Sequence, residues 1–362
     1  MWWWWAELTG GEGVLLASIG GLIGLLFGLC ASVGEFCVRS AVLGMTEGSR
    51  RPQALAWLAA IGCAVISVQS AGALGLVDWS SARQVSSGGS LSGALTGGLL
   101  LGLGIGFARG CPSRQIVLAS RGNLRSIATL IFIGIAVASS IDGALSSSVE
   151  RISAIWPIGA NSRTVSGLVG FGPLVGVVIG AAVLTAAVRL SAKGALRAVL
   201  LGGFIGGLVG ITWTLSAMAS HEGFLVLFPS GISFAGPLGR LLLALQYRGL
   251  NWPALDSAIL IGTFIGALTA AVAQRKCKMV FFAGPAEVFA RAFGGLLIGV
   301  GASAAGGCSL GALSGVAILS VTNIVALGGI GLGLVAYQLV GAVSLNASSR
   351  RVARAILPRL VP

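Results

Sequence analysis

GGLLLGLGIGFARGC (97–111) and GGLLIGVGASAAGGC (294–308) are two copies of one pattern, placed about two hundred residues apart. Each pairs two glycines, adds a third four residues after the second, and reaches a cysteine nine residues beyond that. The same spacing recurs at Gly24, Gly28 and Cys37, and again at Gly203, Gly207 and Ser216, where serine stands in for cysteine. Internal repetition on this scale speaks for an architecture built from copies of one unit. Glycine at four-residue spacing in apolar helices lets backbones approach closely.

The surrounding sequence decides what those units are. The chain has 362 residues, of which 56% are hydrophobic and 9% charged; a soluble domain carries about 25% charged residues. Apolar segments near 13–33, 54–77, 91–109, 124–146, 165–188, 197–216, 254–273, 288–306 and 321–346 are each close to the roughly 20 residues that span a bilayer. The expected fold is therefore an all-α polytopic membrane protein with about nine transmembrane helices. It forms one domain, 1–362, with pseudo-repeats at about 13–146 and 197–346 joined by the span at 165–188.

Charge supports that count. The net charge of +13 could suggest a nucleic-acid partner in a soluble protein, but here it follows the loops. Arg39, Arg50, Arg51, Arg109, Arg114, Arg121, Arg125, Arg189, Lys193, Arg197, Arg275, Lys276, Lys278, Arg291, Arg350, Arg351, Arg354 and Arg359 fall after odd-numbered spans. Only Arg83, Arg151, Arg163, Arg240 and Arg248 fall in the alternate loops. The positive-inside rule then places the N-terminus outside and the C-terminus in the cytoplasm, with no nucleic acid involved. The segment MWWWWAELTGGEG lacks the basic start of a cleavable signal, and Trp2 to Trp5 suit an interfacial anchor.

After each repeat comes a short apolar stretch, CVRSAVLGM, CPSRQIVLAS or CSLGALSGVAIL, too short to cross and suited to a re-entrant half-helix. Cys37, Cys111 and Cys308 would stand at the starts of these half-helices, with Pro112 at a first helical position where its missing N–H costs nothing. Helix starts favour anions, and broken helices meeting near the midplane build transport sites. Gly106, Gly110, Gly306 and Gly307 would let backbone N–H groups face the ion, while Arg109 and Arg114 either form a basic vestibule or serve topology alone. Cys30 and Cys63 read as core residues and Cys277 as an incidental loop thiol. His221 reads as a loop residue, and neither a CxxC nor a zinc-like spacing is present, so no cofactor or metal is expected. The scarcity of ionisable residues within the spans speaks against a carboxylate proton relay.

FCVRSA (36–41), ARGCPSRQIVLAS (108–120) and GGCSLGALSG (306–315) together resemble the YeeE/YedE family of membrane sulfur transporters. The resemblance implies a bacterial inner-membrane protein that takes up thiosulfate, with Cys37, Cys111 and Cys308 lining a central path. It also implies an hourglass-shaped arrangement of broken helices with pseudo-two-fold symmetry. A cytosolic sulfur carrier of the TusA type would be a separate partner, and other members handle selenium or other sulfur compounds. Ser216 would mark a polar point opposite the thiols. The competing class is a membrane thiol enzyme, a sulfurtransferase or disulfide-exchange protein, which would need a covalent adduct at Cys37 or Cys111.

Overall fold

A computed structural model of the chain describes residues 11–47, 51–77, 79, 82, 89–159, 163–170, 172–191, 195–222, 229–246 and 254–356. Trp2 to Trp5, Arg50, Arg83, Lys193, Arg248 and Arg359 lie outside the described residues. Those described form fifteen α-helices and no strand. Eight helices are long and apolar enough to cross a membrane: α1 (Glu12–Gly34), α3 (Arg51–Ala73), α4 (Leu91–Ala108), α6 (Leu124–Asp142), α10 (Leu196–Glu222), α12 (Ala254–Ala273), α13 (Pro285–Ala304) and α15 (Val321–Ile356). Between them lie four short helices, α2 (Val38–Glu47), α5 (Pro112–Ser120), α11 (Ala235–Gln246) and α14 (Ser309–Ala317), and the connecting helices α7 (Ser146–Ala154) and α8 (Val165–Val169).

The segment expected as one span at 165–188 is instead α8 followed by α9 (Pro173–Arg189). Gly170 ends α8 in the left-handed region at φ +73°, and Pro173 restarts the chain at a first helical position. At 17 residues α9 is about 25 Å long, short of the roughly 30 Å hydrocarbon core. Along α3, Gly62 faces Gly180 and Leu184 while Gln69 faces Gly176, so α9 runs antiparallel to α3. Helix α10 runs parallel to α3, because Gly202 meets Ala56 and Gly206 meets Ala60. The consecutive helices α9 and α10 therefore run antiparallel to each other, both packed on α3.

Glycines set the helix pairs. A Cβ on Gly24 would come 2.3 Å from the Ile259 carbonyl oxygen, and one on Gly28 would come 2.2 Å from that of Thr263. Only hydrogen at these positions lets α1 and α12 lie in parallel, backbone to backbone. Gly98 and Gly102 of α4 seat the carbonyls of Ala326 and Ile330 of α15 in the same way, and Gly295 and Gly299 of α13 lie against α6. Lipid offers no hydrophobic gain over side-chain contact, so such close packing and Cα–H···O contacts, about 0.5–1 kcal/mol each, hold the pairs.

The fourth copy of the repeat departs from this scheme. On α10 the packed pair is Gly202 and Gly206, one residue earlier than the expected Gly203 and Gly207, and Gly207 has open space around it. Helix α10 also continues through Ser216 to Glu222, so Ser216 starts no half-helix.

Candidate functional site

Three spans end in one way before each cysteine. Glu35, Arg109 and Gly306 adopt left-handed φ values of 51°, 57° and 75°, each two residues ahead of Cys37, Cys111 or Cys308. In each, the next N–H reaches back five residues: Phe36 to Ala31 at 3.2 Å, Gly110 to Ile105 at 3.1 Å, and Gly307 to Ala302 at 2.8 Å. These are Schellman closures, which satisfy the last carbonyls and turn the chain sharply. The cysteine then begins the next helix, its carbonyl accepting from Ala41 (3.0 Å), Gln115 (2.9 Å) or Ala312 (2.7 Å). Cys111 and Cys308 share an extended N-cap geometry, φ −77° in both.

The three thiols are buried and free. Cys111 Sγ lies 3.1 Å from Ser113 Oγ and is within electrostatic reach of Cys37 and of the Ser309 hydroxyl. That hydroxyl is buried and makes no well-formed hydrogen bond. Since Ser309 follows Cys308, the half-helix starts of α2, α5 and α14 lie in one neighbourhood. Gly110 and Gly307 are the residues directly before Cys111 and Cys308, and Gly307 packs against Gly311 of the following turn.

The fourth half-helix start is at Phe234, before α11. Its backbone N–H donates to Cys308 Sγ at 3.4 Å, and Ser233 Oγ lies 3.7 Å from the same sulfur. Ser216 serves this segment from a distance: its hydroxyl donates to the Ser230 carbonyl at 2.8 Å and accepts from the Ser230 N–H at 3.1 Å. Gly231 is pressed onto α14, where an added Cβ would come 1.7 Å from Ser314 Oγ, and Trp213 Nε1 donates to that hydroxyl at 2.8 Å. Sequence reasoning missed Ser233 and Phe234 because they carry no cysteine. The stretch PSGISFAGPLG (229–239), a break followed by a short apolar run, was the available signal.

Basic side chains gather at one end of the bundle. Arg121 donates to the Ser32 carbonyl at 2.8 Å and lies 3.9 Å from Glu35, which Lys276 also approaches to 3.9 Å. Burial, and then the neighbouring Arg114 charge, push the Arg121 guanidinium below its ordinary pKa. Arg125 pairs with Glu287 at 2.6 Å. Arg291, only 5% exposed, donates to the Ala108 carbonyl, to which Gln115 Nε2 also donates at 2.8 Å. Together they pin the break between α4 and α5. Arg109 acts on this group by charge, lying within electrostatic reach of Glu287 and Arg291. Arg114 Nη1 and Arg39 Nε are buried with no hydrogen-bond partner, each a few residues after a site cysteine.

At the opposite end a cavity of about 370 Å³ is lined largely by glycines and hydroxyl groups, among them Ser90, Ser153, Ser233 and Thr322. It reaches Gly306 and Gly307, beside Cys308. The two ends thus flank the buried thiols, one neutral and hydroxyl-lined, the other basic.

A family model described as sulphur transport matches residues 33–336. No curated protein matches the chain.

Proposed function

The chain belongs to the YeeE/YedE sulphur-transport family, and from that premise we propose that it imports a sulfur oxyanion, thiosulfate, along Cys308, Cys111 and Cys37. The observation that carries this reading is three buried thiols in one neighbourhood, each directly ahead of the first residue of a half-helix. A helix start acts as roughly half a positive elementary charge, so three or four together offset much of a dianion. A thiol is a weak S–H donor that matches a soft sulfane sulfur. Gly110 and Gly307 leave backbone close to the anion, and the unpartnered nitrogens of Arg114 and Arg39 offer it a landing point beyond Cys111 and Cys37.

The reciprocal pairing of α1 with α12 and α10 with α3, and of α4 with α15 and α13 with α6, supports reading 13–146 and 197–346 as pseudo-repeats. A hydroxyl-lined cavity on one side of the buried thiols and a basic cluster on the other support reading the path as an hourglass. The loop charges favour an inner-membrane protein with its N-terminus outside and its basic end facing the cytoplasm. On this reading a separate TusA-like carrier collects the sulfur there. Moving a dianion inward against 100 mV costs about 4.6 kcal/mol, about three orders of magnitude in concentration, so cytosolic consumption or a coupled ion drives import.

The test is uptake of labelled thiosulfate in cells that lack other importers. Cys111→Ala and Cys308→Ala should each abolish growth on thiosulfate, and Cys63→Ala should be silent. Full growth of both variants would defeat the thiol path. A stable mass adduct on Cys37 or Cys111 after incubation with labelled thiosulfate would favour covalent sulfur transfer instead.

A further inference from the structure

The cavity at the hydroxyl-lined end contains just two charged residues among those lining it, and they cancel. Arg240 of α11 and Asp256, in the first turn of α12, meet at 2.8 Å between Nη2 and Oδ2, with side chains 26% and 19% exposed. An unliganded chamber of this kind holds no net charge with which to attract an anion. Arg240 Nε is buried and lacks a hydrogen-bond partner, so the guanidinium retains an unused donor. Gly236 leaves it room, since a Cβ there would stand 3.2 Å from Nη2.

We infer that Arg240 and Asp256 form a counter-ion exchange site, where an incoming divalent oxyanion displaces the Asp256 carboxylate from the guanidinium before passing to Cys308. The inference rests on the import reading above and adds a specificity-determining pair to it. Displaced, the carboxylate stays at the start of α12, where the helix N-terminus favours negative charge. A dianion draws on the guanidinium about twice as strongly as a monovalent ion at equal distance, so it competes with the carboxylate where a monovalent anion does not. Asp256 therefore works as a built-in competitor that sets the threshold for entering the path, and Arg240 as the cation the ion meets within the cavity.

The two partners should act in opposite directions on labelled thiosulfate uptake. Arg240→Gln removes the cation that the ion would contact and should raise the half-saturation concentration about tenfold or more, the loss of roughly one charge-assisted contact. Asp256→Asn frees the guanidinium, and should lower the half-saturation concentration and let thiocyanate, a monovalent anion, inhibit uptake. The double variant should fall nearer to wild type than Arg240→Gln alone. An unchanged or raised half-saturation for Asp256→Asn would overturn the inference and leave the pair a tie between α11 and α12. Should Arg240→Gln fail to accumulate in the membrane, Asp256→Asn decides the question by itself, because the arginine remains. Wild-type cells that import no thiosulfate would defeat the transport reading; wild-type import with both half-saturations unmoved would defeat only this inference.

Discussion

The backbone N–H of Phe234 donates to Cys308 Sγ at 3.4 Å, joining the start of α11 to the start of α14. The thiol is thus at once an acceptor that ties two half-helices and a surface for the proposed ion. The two roles separate by substitution. Cys308→Ala strands a buried N–H, costing about 1–3 kcal/mol, while Cys308→Ser keeps an acceptor. Melting in detergent should fall for alanine and hold for serine, whereas uptake should fall in both if a soft sulfur contact matters. Serine at wild-type uptake would reduce Cys308 to a structural tie.

Glycine register on α10 gives a sharper packing test. Gly206→Val places a side chain where a Cβ alone would stand 2.2 Å from the Ala60 carbonyl oxygen, and overpacking of this kind costs about 1–3 kcal/mol or more. Gly207→Ala meets nothing and should be silent. Thermal unfolding of the two variants side by side reads the register directly. The reverse order would place the fourth copy in the register of its neighbours.

Arg291 holds the Ala108 carbonyl and lies 3.7 Å from Glu287 through its other terminal nitrogen. Arg291→Met should destabilise the protein by about 1.5–3 kcal/mol, the loss of a buried charge-assisted hydrogen bond, because Glu287 keeps its pair with Arg125. Arg291→Lys keeps the charge but not the two-point contact, and should recover only part of that stability. Full recovery by lysine would assign the effect to charge alone.

Cys277 is exposed at the basic end, whereas Cys37, Cys111 and Cys308 are buried. A membrane-impermeant maleimide should label Cys277 in inside-out vesicles and not in intact cells. Labelling of intact cells at Cys277 would invert the proposed orientation.

Much of the fold was legible because lipid imposes local rules. Backbone groups must be satisfied within each segment, so span positions follow from apolar length, and the loop arginines follow their alternation. The three cysteine half-helices were legible too, because the glycine that allows a tight crossing and the cysteine that follows the turn sit at fixed spacing. Ser216 shows where that reading stopped. The spacing Gly203, Gly207, Ser216 matched the others, but glycine is frequent enough here to match in the wrong register, and α10 runs on past Ser216.

By itself, then, the sequence determined the membrane class, the long spans other than the one expected at 165–188, and the thiols at three half-helix starts, all properties of contiguous residues. Tertiary structure decided the rest. It seated each GxxxG face on a particular partner, since glycines show that a close contact is possible without naming the helix that makes it. It brought Phe234 to Cys308, 74 positions away, and Arg240 to Asp256 across a loop. Such partnerships depend on how helices cross in space, and no spacing along one chain encodes that crossing.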